Sequence, residues 1–147
     1  MIVEDNEPTA YLIQKAFEAS GERVQWDLYF AGDGEEALDR LFRRGVHIER
    51  VLPDLVLLDW NLPKISGEEV LRKLKSHEQL QTLPVLIFSS SQKDHDVDLA
   101  YKARANGFIP KPSDLNGLFA VVENIEKFWC TRPASRGEMG GTSGITS

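Results

Sequence analysis

Five short apolar runs, each followed by a stretch with helical hydrophobic spacing, constrain this chain more than any other feature. The first run is the "IV" of "MIVEDNEP", and "EPTAYLIQKAFEASG" follows with Ala10, Leu12, Ile13, Ala16, Phe17 and Ala19 on one face, closed by Ser20-Gly21. "VQWDLYF" (24–30) alternates and is rich in β-formers, and "DGEEALDRLFRRG" then carries Ala37, Leu38, Leu41 and Phe42 and stops at Gly45. Pro53 opens "DLVLLD", followed by the amphipathic "SGEEVLRKLKSHEQL" with Val70, Leu71 and Leu74. "LPVLIFSSS" has Pro84 at its start, where a missing N–H does least harm, and precedes a helix over "DHDVDLAYKARANG" ended by a left-handed Asn106-Gly107 cap. "FIP" is a very short strand. The last helix, capped by Ser113 or Asp114, turns Leu115, Leu118, Phe119, Val122, Ile125 and Phe128 inward. Strands that are apolar throughout, alternating with amphipathic helices, imply an α/β fold: a five-stranded parallel sheet covered on both faces. Right-handed crossovers make it doubly wound, in three α/β/α layers.

The chain has 147 residues, 41% of them hydrophobic and 27% charged, which suits one globular domain. The Gly-, Ser-, Thr- and Pro-rich ending predicts a domain over 1–129 and a flexible tail over 130–147, or an arm that orders against a partner. No apolar run is long enough to span a membrane, and no signal-peptide pattern opens the sequence. The lone Cys130 cannot form an internal disulfide, which fits the cytoplasm. A net charge of -6 argues against a nucleic-acid-binding surface. His47, His77 and His95 are scattered without metal-ligand spacing and read as surface residues.

The polar residues at the strand ends carry the chemistry. Glu4-Asp5 follows the first strand, Asp59 ends the third, Ser89 ends the fourth and Lys111 follows the fifth. Each alone is an ordinary turn or cap residue. In an open parallel sheet, however, all of them fall on the carboxyl edge, where ligand crevices form. Three carboxylates there repel one another and need positive charge to remain ionised. Lys111 supplies one charge. A hard divalent cation with oxygen ligands, Mg²⁺, is the natural second, since no His or Cys lies near these acids in sequence. A cation, a lysine and a free carboxylate make a place for a phosphoryl group, with Asp59 on the central strand as nucleophile.

"VEDN", "LVLLDWNLP", "PVLIFSSS" and "ANGFIPKP" resemble the motifs of the receiver domain of two-component response regulators, and Ser89 and Lys111 stand 30 and 52 residues after Asp59 as in that family. The resemblance covers about residues 1 to 129 and implies a flavodoxin-like fold of strand order 2-1-3-4-5. It implies that Asp59 takes phosphate from a phosphohistidine on a sensor histidine kinase. Asp5 and Asp59 would ligate Mg²⁺ directly, Glu4 largely through water, and Asn61 through its backbone carbonyl. Lys111 would bind a phosphoryl oxygen, the Lys111-Pro112 bond being cis. Ser89 and Phe108 would be the switch pair, read out on the surface of helix 4, strand 5 and helix 5. "LPVLIFSSSQ", "KPSDL", "IEKFW" and the extended loop "RRGVHIERVLPD" are similar to stand-alone regulators that partner phytochrome-type kinases. That subfamily leaves a homodimer open, and a downstream protein or phosphotransfer partner is implied. The family usually has more residues before "VEDN", so a short first strand is expected.

A magnesium-dependent phosphohydrolase is the enzymatic alternative. Such enzymes place a second Asp two residues after the nucleophile, and here Asn61 holds that position. A flavodoxin shares the topology, but the first βα loop lacks the Ser/Thr/Gly-rich phosphate cradle. The sequence therefore predicts a phosphoacceptor rather than a turnover enzyme, with no folded output domain following it.

Overall fold

The computed structural model describes residues 1–19, 25–43, 51–90 and 93–130, with side chains described to 127. The elements alternate as β1 (Ile2–Val3), α1 (Glu7–Ala19), β2 (Phe30–Ala31), α2 (Gly34–Leu41), β3 (Val56–Leu58), α3 (Gly67–Ser76), β4 (Val85–Ser89), α4 (Asp94–Lys102), β5 (Gly107–Pro110) and α5 (Leu115–Cys130). The five strands form one sheet in the order β2-β1-β3-β4-β5, every pair parallel. This is the flavodoxin-like arrangement, with the sequence switching direction beside β1.

Two compact units contain these elements: the described residues within 1–10 and 29–111, and those within 11–28 and 112–130. The first holds the whole sheet with α2, α3 and α4. Its core takes one residue in two from β1, β3 and β4, Val3, Val56, Leu58, Val85 and Ile87, together with Leu38, Leu41, Val70, Leu71 and Leu74 from the helices. Ile2, Leu57, Leu86 and Phe88 point to the other face and are buried as well. Burial on both faces is why these strands read as unbroken apolar runs. In the second unit, α1 buries Ile13, Ala16 and Phe17, and α5 buries Leu118, Val122 and Ile125.

Helix starts are set by local chemistry. The side chains of Asp33, Ser66 and Asp114 accept from the backbone N–H groups of Glu36, Glu69 and Gly117, satisfying donors that the first turn leaves unpaired. Asp114 is thus the cap of α5, rather than Ser113.

Several expectations are corrected. The second strand was expected over 24–30, but pairing is confined to Phe30–Ala31, with Tyr29 adding one bond to Ile2 (2.8 Å). Trp26 instead sets its ring edge-on to Phe17, centroids 5.0 Å apart. Helix α4 ends at Lys102, and the left-handed residue is Arg104 (φ 72) rather than Asn106-Gly107. Gly107 already belongs to β5, and the Asn106 side chain accepts from Val85 N–H at 2.8 Å. Leu12, Leu115 and Phe119 are exposed, not inward. His77 is half-buried, its ring 4.9 Å from that of Phe42, and it closes α3. No cis peptide occurs among the described residues, so Lys111-Pro112 is trans. Trans is the ordinary preference by about 0.5–1 kcal/mol, and hydrogen bonding and ion pairing already hold Lys111. The readings of Ser20-Gly21, Gly45, His47, the Phe128 and Cys130 side chains and the 131–147 part of the tail lie outside the described residues.

Candidate functional site

Parallel pairing aligns the ends of the strands, and each end delivers one polar group. The backbone N–H of Glu4 donates to Ala31 O (3.0 Å), and that of Asp59 donates to Val3 O (3.1 Å), so both acids emerge at the same level. The Lys111 N–H donates to Ser89 O (2.8 Å), extending the β4–β5 ladder past Pro110 and fixing where the lysine leaves the sheet. Its ammonium returns across the rim to Asp59 Oδ2 at 3.1 Å and Glu4 Oε1 at 2.7 Å. The Lys111 side chain also passes over Phe88, with Nζ 5.9 Å from the ring centroid.

The backbone around Asp59 is held by its neighbours. Asn61 N–H donates to Asp59 Oδ1 (3.1 Å), and Gly67 N–H to Trp60 O (3.0 Å). A Cβ at Gly67 would stand 2.3 Å from Asp59 O and 2.7 Å from Trp60 Cα, so only glycine lets α3 start this close to the acid. Nothing in the helical pattern of "SGEEVLRKLKSHEQL" announces this contact with Asp59, eight residues earlier.

Glu4, Asp5 and Asp59 each offer a carboxylate oxygen within 4.8 Å of the others. Glu4 and Asp59 are buried, whereas Asp5 is exposed. Burial, opposed by the Lys111 contact and reinforced by the charge of Asp59, raises the Glu4 pKa above the usual carboxylate value. Burial alone would depress Lys111, but Glu4 and Asp59 outweigh it and raise its pKa. One ammonium is therefore shared by two acids of a group of three. The ammonium approaches the buried Glu4 Oε1 to 2.7 Å. Three neighbouring carboxylates, two of them buried, with no sulfur or imidazole in the group among the described residues, are the donor set of a hard divalent cation.

Ser89 is fully buried at the end of β4, and Phe108 lies on β5 opposite Ile87, half-buried against the core. The structure thus gathers Glu4, Asp5, Asp59, Asn61, Ser89 and Lys111 on one rim, and places Phe108 one strand position away from the Phe88–Ile109 pair.

A parallel α/β sheet that collects acids and a lysine at the carboxyl edge of its strands has them where open sheets of this class form ligand crevices. The chain belongs to the response regulator receiver domain family, which residues 1–123 match. It is 40% identical over 133 residues to the probable methanogenesis regulatory protein FilR2 of Methanothrix harundinacea, covering 88% of this chain and 81% of that one. It is 33% identical to response regulator Rcp1 of Synechocystis, covering 88% and 86%. Rcp1 in its Mn²⁺-bound form superposes with a TM-score of 0.81, over 89% of this chain and 93% of that one. The phosphorylated cyanobacterial phytochrome response regulator RcpA gives 0.83 at 38% identity, over 88% and 91%.

Among the described residues no helix is long and apolar enough to cross a membrane.

Proposed function

We propose that this receiver takes a phosphoryl group from the phosphohistidine of a sensor histidine kinase onto Asp59. The single observation that carries this reading is the Lys111 ammonium, 3.1 Å from Asp59 Oδ2 and 2.7 Å from Glu4 Oε1 at one rim. Asp5, Asp59 and the Asn61 backbone carbonyl would hold Mg²⁺, with Glu4 acting through water. The bound ion supplies charge neutralisation for the phosphoryl oxygens and for the acids.

The residues of the chain do the rest. An Asp59 oxygen attacks the phosphorus in line, the imidazole nitrogen of the donor leaves with the bonding pair, and Lys111 transfers its contact from carboxylate to phosphoryl oxygen. The Ser89 hydroxyl turns toward the new anion, and Phe108 turns inward into the room this leaves, altering the surface of α4 and β5. Such a switch works only through the different affinity of the phosphoryl group for two packings. Slow hydrolysis of the acyl phosphate resets it, which makes the chain a phosphoacceptor rather than a turnover enzyme. The likeness to the cyanobacterial phytochrome response regulator RcpA supports a phytochrome-type kinase as the writer, and a cytoplasmic site of action belongs to this reading.

Labelling with acetyl phosphate in Mg²⁺ tests the assignment. Wild type should be labelled, with a change in the fluorescence of Trp60 on adding millimolar Mg²⁺, and Asp59→Asn should take no label. Label persisting on Asp59→Asn, or steady turnover of a phosphoester by wild type, would remove this reading. A beryllofluoride adduct should draw the Phe108 ring inward.

A further inference from the structure

The rim opposite Asp59 carries a second concentration of charge, of the other sign. A depression of about 400 Å³ lies between the C-terminal ends of α3 and α4, lined by Glu69, Arg72, Lys73, Lys75, Lys102 and Arg104. Its volume falls in the range of about 300–1,000 Å³ common for small-molecule sites. Of its cations Arg72 is paired with Glu68 (2.9 Å) and Lys75 is buried, which leaves Lys73, Lys102 and Arg104 to a ligand, in a chain whose net charge is -6. We propose that this depression binds a small phosphate-rich anion, either inorganic pyrophosphate and its longer chains or the phosphate tail of a nucleotide.

The ordinary explanation for basic residues in a last helical turn is balance of the helix dipole. Here the carbonyls at both helix ends already have donors. Ser76 Oγ donates to Lys73 O (3.1 Å), His77 N–H to Leu74 O (3.2 Å), and the Arg104 guanidinium to Lys75 O. In α4, Leu99 O, Ala100 O and Tyr101 O accept from the N–H groups of Ala103, Ala105 and Arg104. The negative ends are thereby blunted, and the ammonium groups of Lys73 and Lys102 are not consumed by them. Among the described residues Lys102 has no carboxylate within ion-pairing distance, and Lys73 reaches Glu69 only at 4.0 Å.

Arg104 adds a second observation. It lies past the end of α4 in the left-handed region (φ 72), a conformation disfavoured for a residue with a Cβ. One guanidinium nitrogen is engaged with Lys75 O, which leaves further donors of the fork at the depression. Those donors suit phosphate oxygens, which a guanidinium contacts in pairs, whereas the Arg72 fork is engaged by Glu68 (3.0 Å from Nε). The lining contains no aromatic ring, so recognition falls on the charged groups of a ligand rather than on a base. Lys75 lies under the site with its pKa lowered, first by burial and then by Arg104, a positive excess that an anion relieves.

The test titrates the full chain with pyrophosphate in EDTA, so that no metal can recruit phosphate to Asp59, while amide chemical shifts are followed. Saturable binding that weakens with salt, with shifts at 69–76 and 102–104, is expected. Lys73→Gln/Lys102→Gln removes two exposed charges and should weaken binding about tenfold, whereas Asp59→Asn should bind as wild type does. Tripolyphosphate and ATP separate the two sources: equal affinity assigns the phosphate chain alone, and tighter ATP assigns the nucleotide. The proposal is overturned by non-saturable binding, by shifts confined to the Asp59 rim, by an unaffected double variant, or by a hexaglutamate peptide that binds as tightly as pyrophosphate.

Discussion

Lys111 Nζ sits 3.1 Å from Asp59 Oδ2 and 2.7 Å from Glu4 Oε1, so one ammonium is shared by two buried acids from different strands. It competes with any cation brought to those acids, and it is the group left to hold a phosphoryl oxygen. Its two roles separate on mutation. Lys111→Met should bind Mg²⁺ more tightly, by at least about threefold, because a positive charge beside the carboxylates is gone. The same variant should be labelled by acetyl phosphate at least about tenfold more slowly, because phosphoryl charge is less well stabilised. Tryptophan fluorescence titration and a labelling time course measure the two effects. Weaker Mg²⁺ binding in Lys111→Met would show that the lysine organises the cation site instead of competing with it.

Glu4 gives a prediction in pH. Its pKa is raised in the folded chain, chiefly by burial, so the folded state holds the proton more tightly than the unfolded state. Stability is therefore highest below the unfolded value of 4.5 and falls as pH rises through the folded value. At neutral pH without divalent cations the ionised Glu4 is a net cost, and Glu4→Gln should raise Tm. Below pH 4.5, where both forms are neutral, the gain should vanish. Saturating Mg²⁺ stabilises whichever chain binds it, so the order should close or invert in its presence. Thermal unfolding of both proteins across pH 4 to about 8, with and without Mg²⁺, checks the signs.

Much of this was legible because strand ends are visible in sequence. An apolar run that stops on Asp59, with Pro53 before it, can be seen without coordinates, and so can Ser89 and Lys111 at the ends of their own runs. The parallel order then places those ends on one rim. Edge strands are less legible: "VQWDLYF" has strong β-formers, yet only Phe30–Ala31 meets β1 in a ladder. Propensity does not say which backbone groups find a partner. Asn106-Gly107 had the composition of a helix cap, but the Asn106 side chain is used in holding Val85, and Arg104 takes the left-handed turn. The burial of Lys75 had a signal that charge obscured, for it falls four residues after Leu71 and next to Leu74 on the inward face of α3.

Gly67 is the tightest approach to the site from outside it. A methyl group there overlaps Asp59 O and Trp60 Cα, both backbone atoms that no side-chain rotation can clear. Gly67→Ala should therefore cost about 1–3 kcal/mol, the usual penalty of overpacking, and should shift Asp59 enough to weaken Mg²⁺ binding. Gly32→Ala is the control. Its added Cβ would meet only the Glu36 Oε1 end at 3.8 Å, and the change should stay within about 0.5 kcal/mol. Urea denaturation of the two variants compares them. Equal stability would mean that α3 can retreat from the Asp59 loop at little cost.

Lys75 and Asn106 form a buried clasp between α3 and the starts of β4 and β5. The ammonium donates to Gln81 O (3.2 Å), Leu83 O (3.0 Å) and Asn106 Oδ1 (3.0 Å), and the same Oδ1 accepts from Val85 N–H (2.8 Å). Lys75→Met keeps the apolar stem and removes a donor from three acceptors, so it should destabilise by about 1–3 kcal/mol through the unsatisfied groups. Asn106→Ala takes one of three acceptors from the ammonium and the side-chain partner from the Val85 N–H, and should cost a similar amount. Because both single changes break one network, the double variant should lose less than the sum, with a coupling of about 0.5–3 kcal/mol. A double-mutant cycle by urea denaturation measures that coupling. Strict additivity would show that the two side chains act independently, with the Asn106–Val85 contact alone setting how β5 begins.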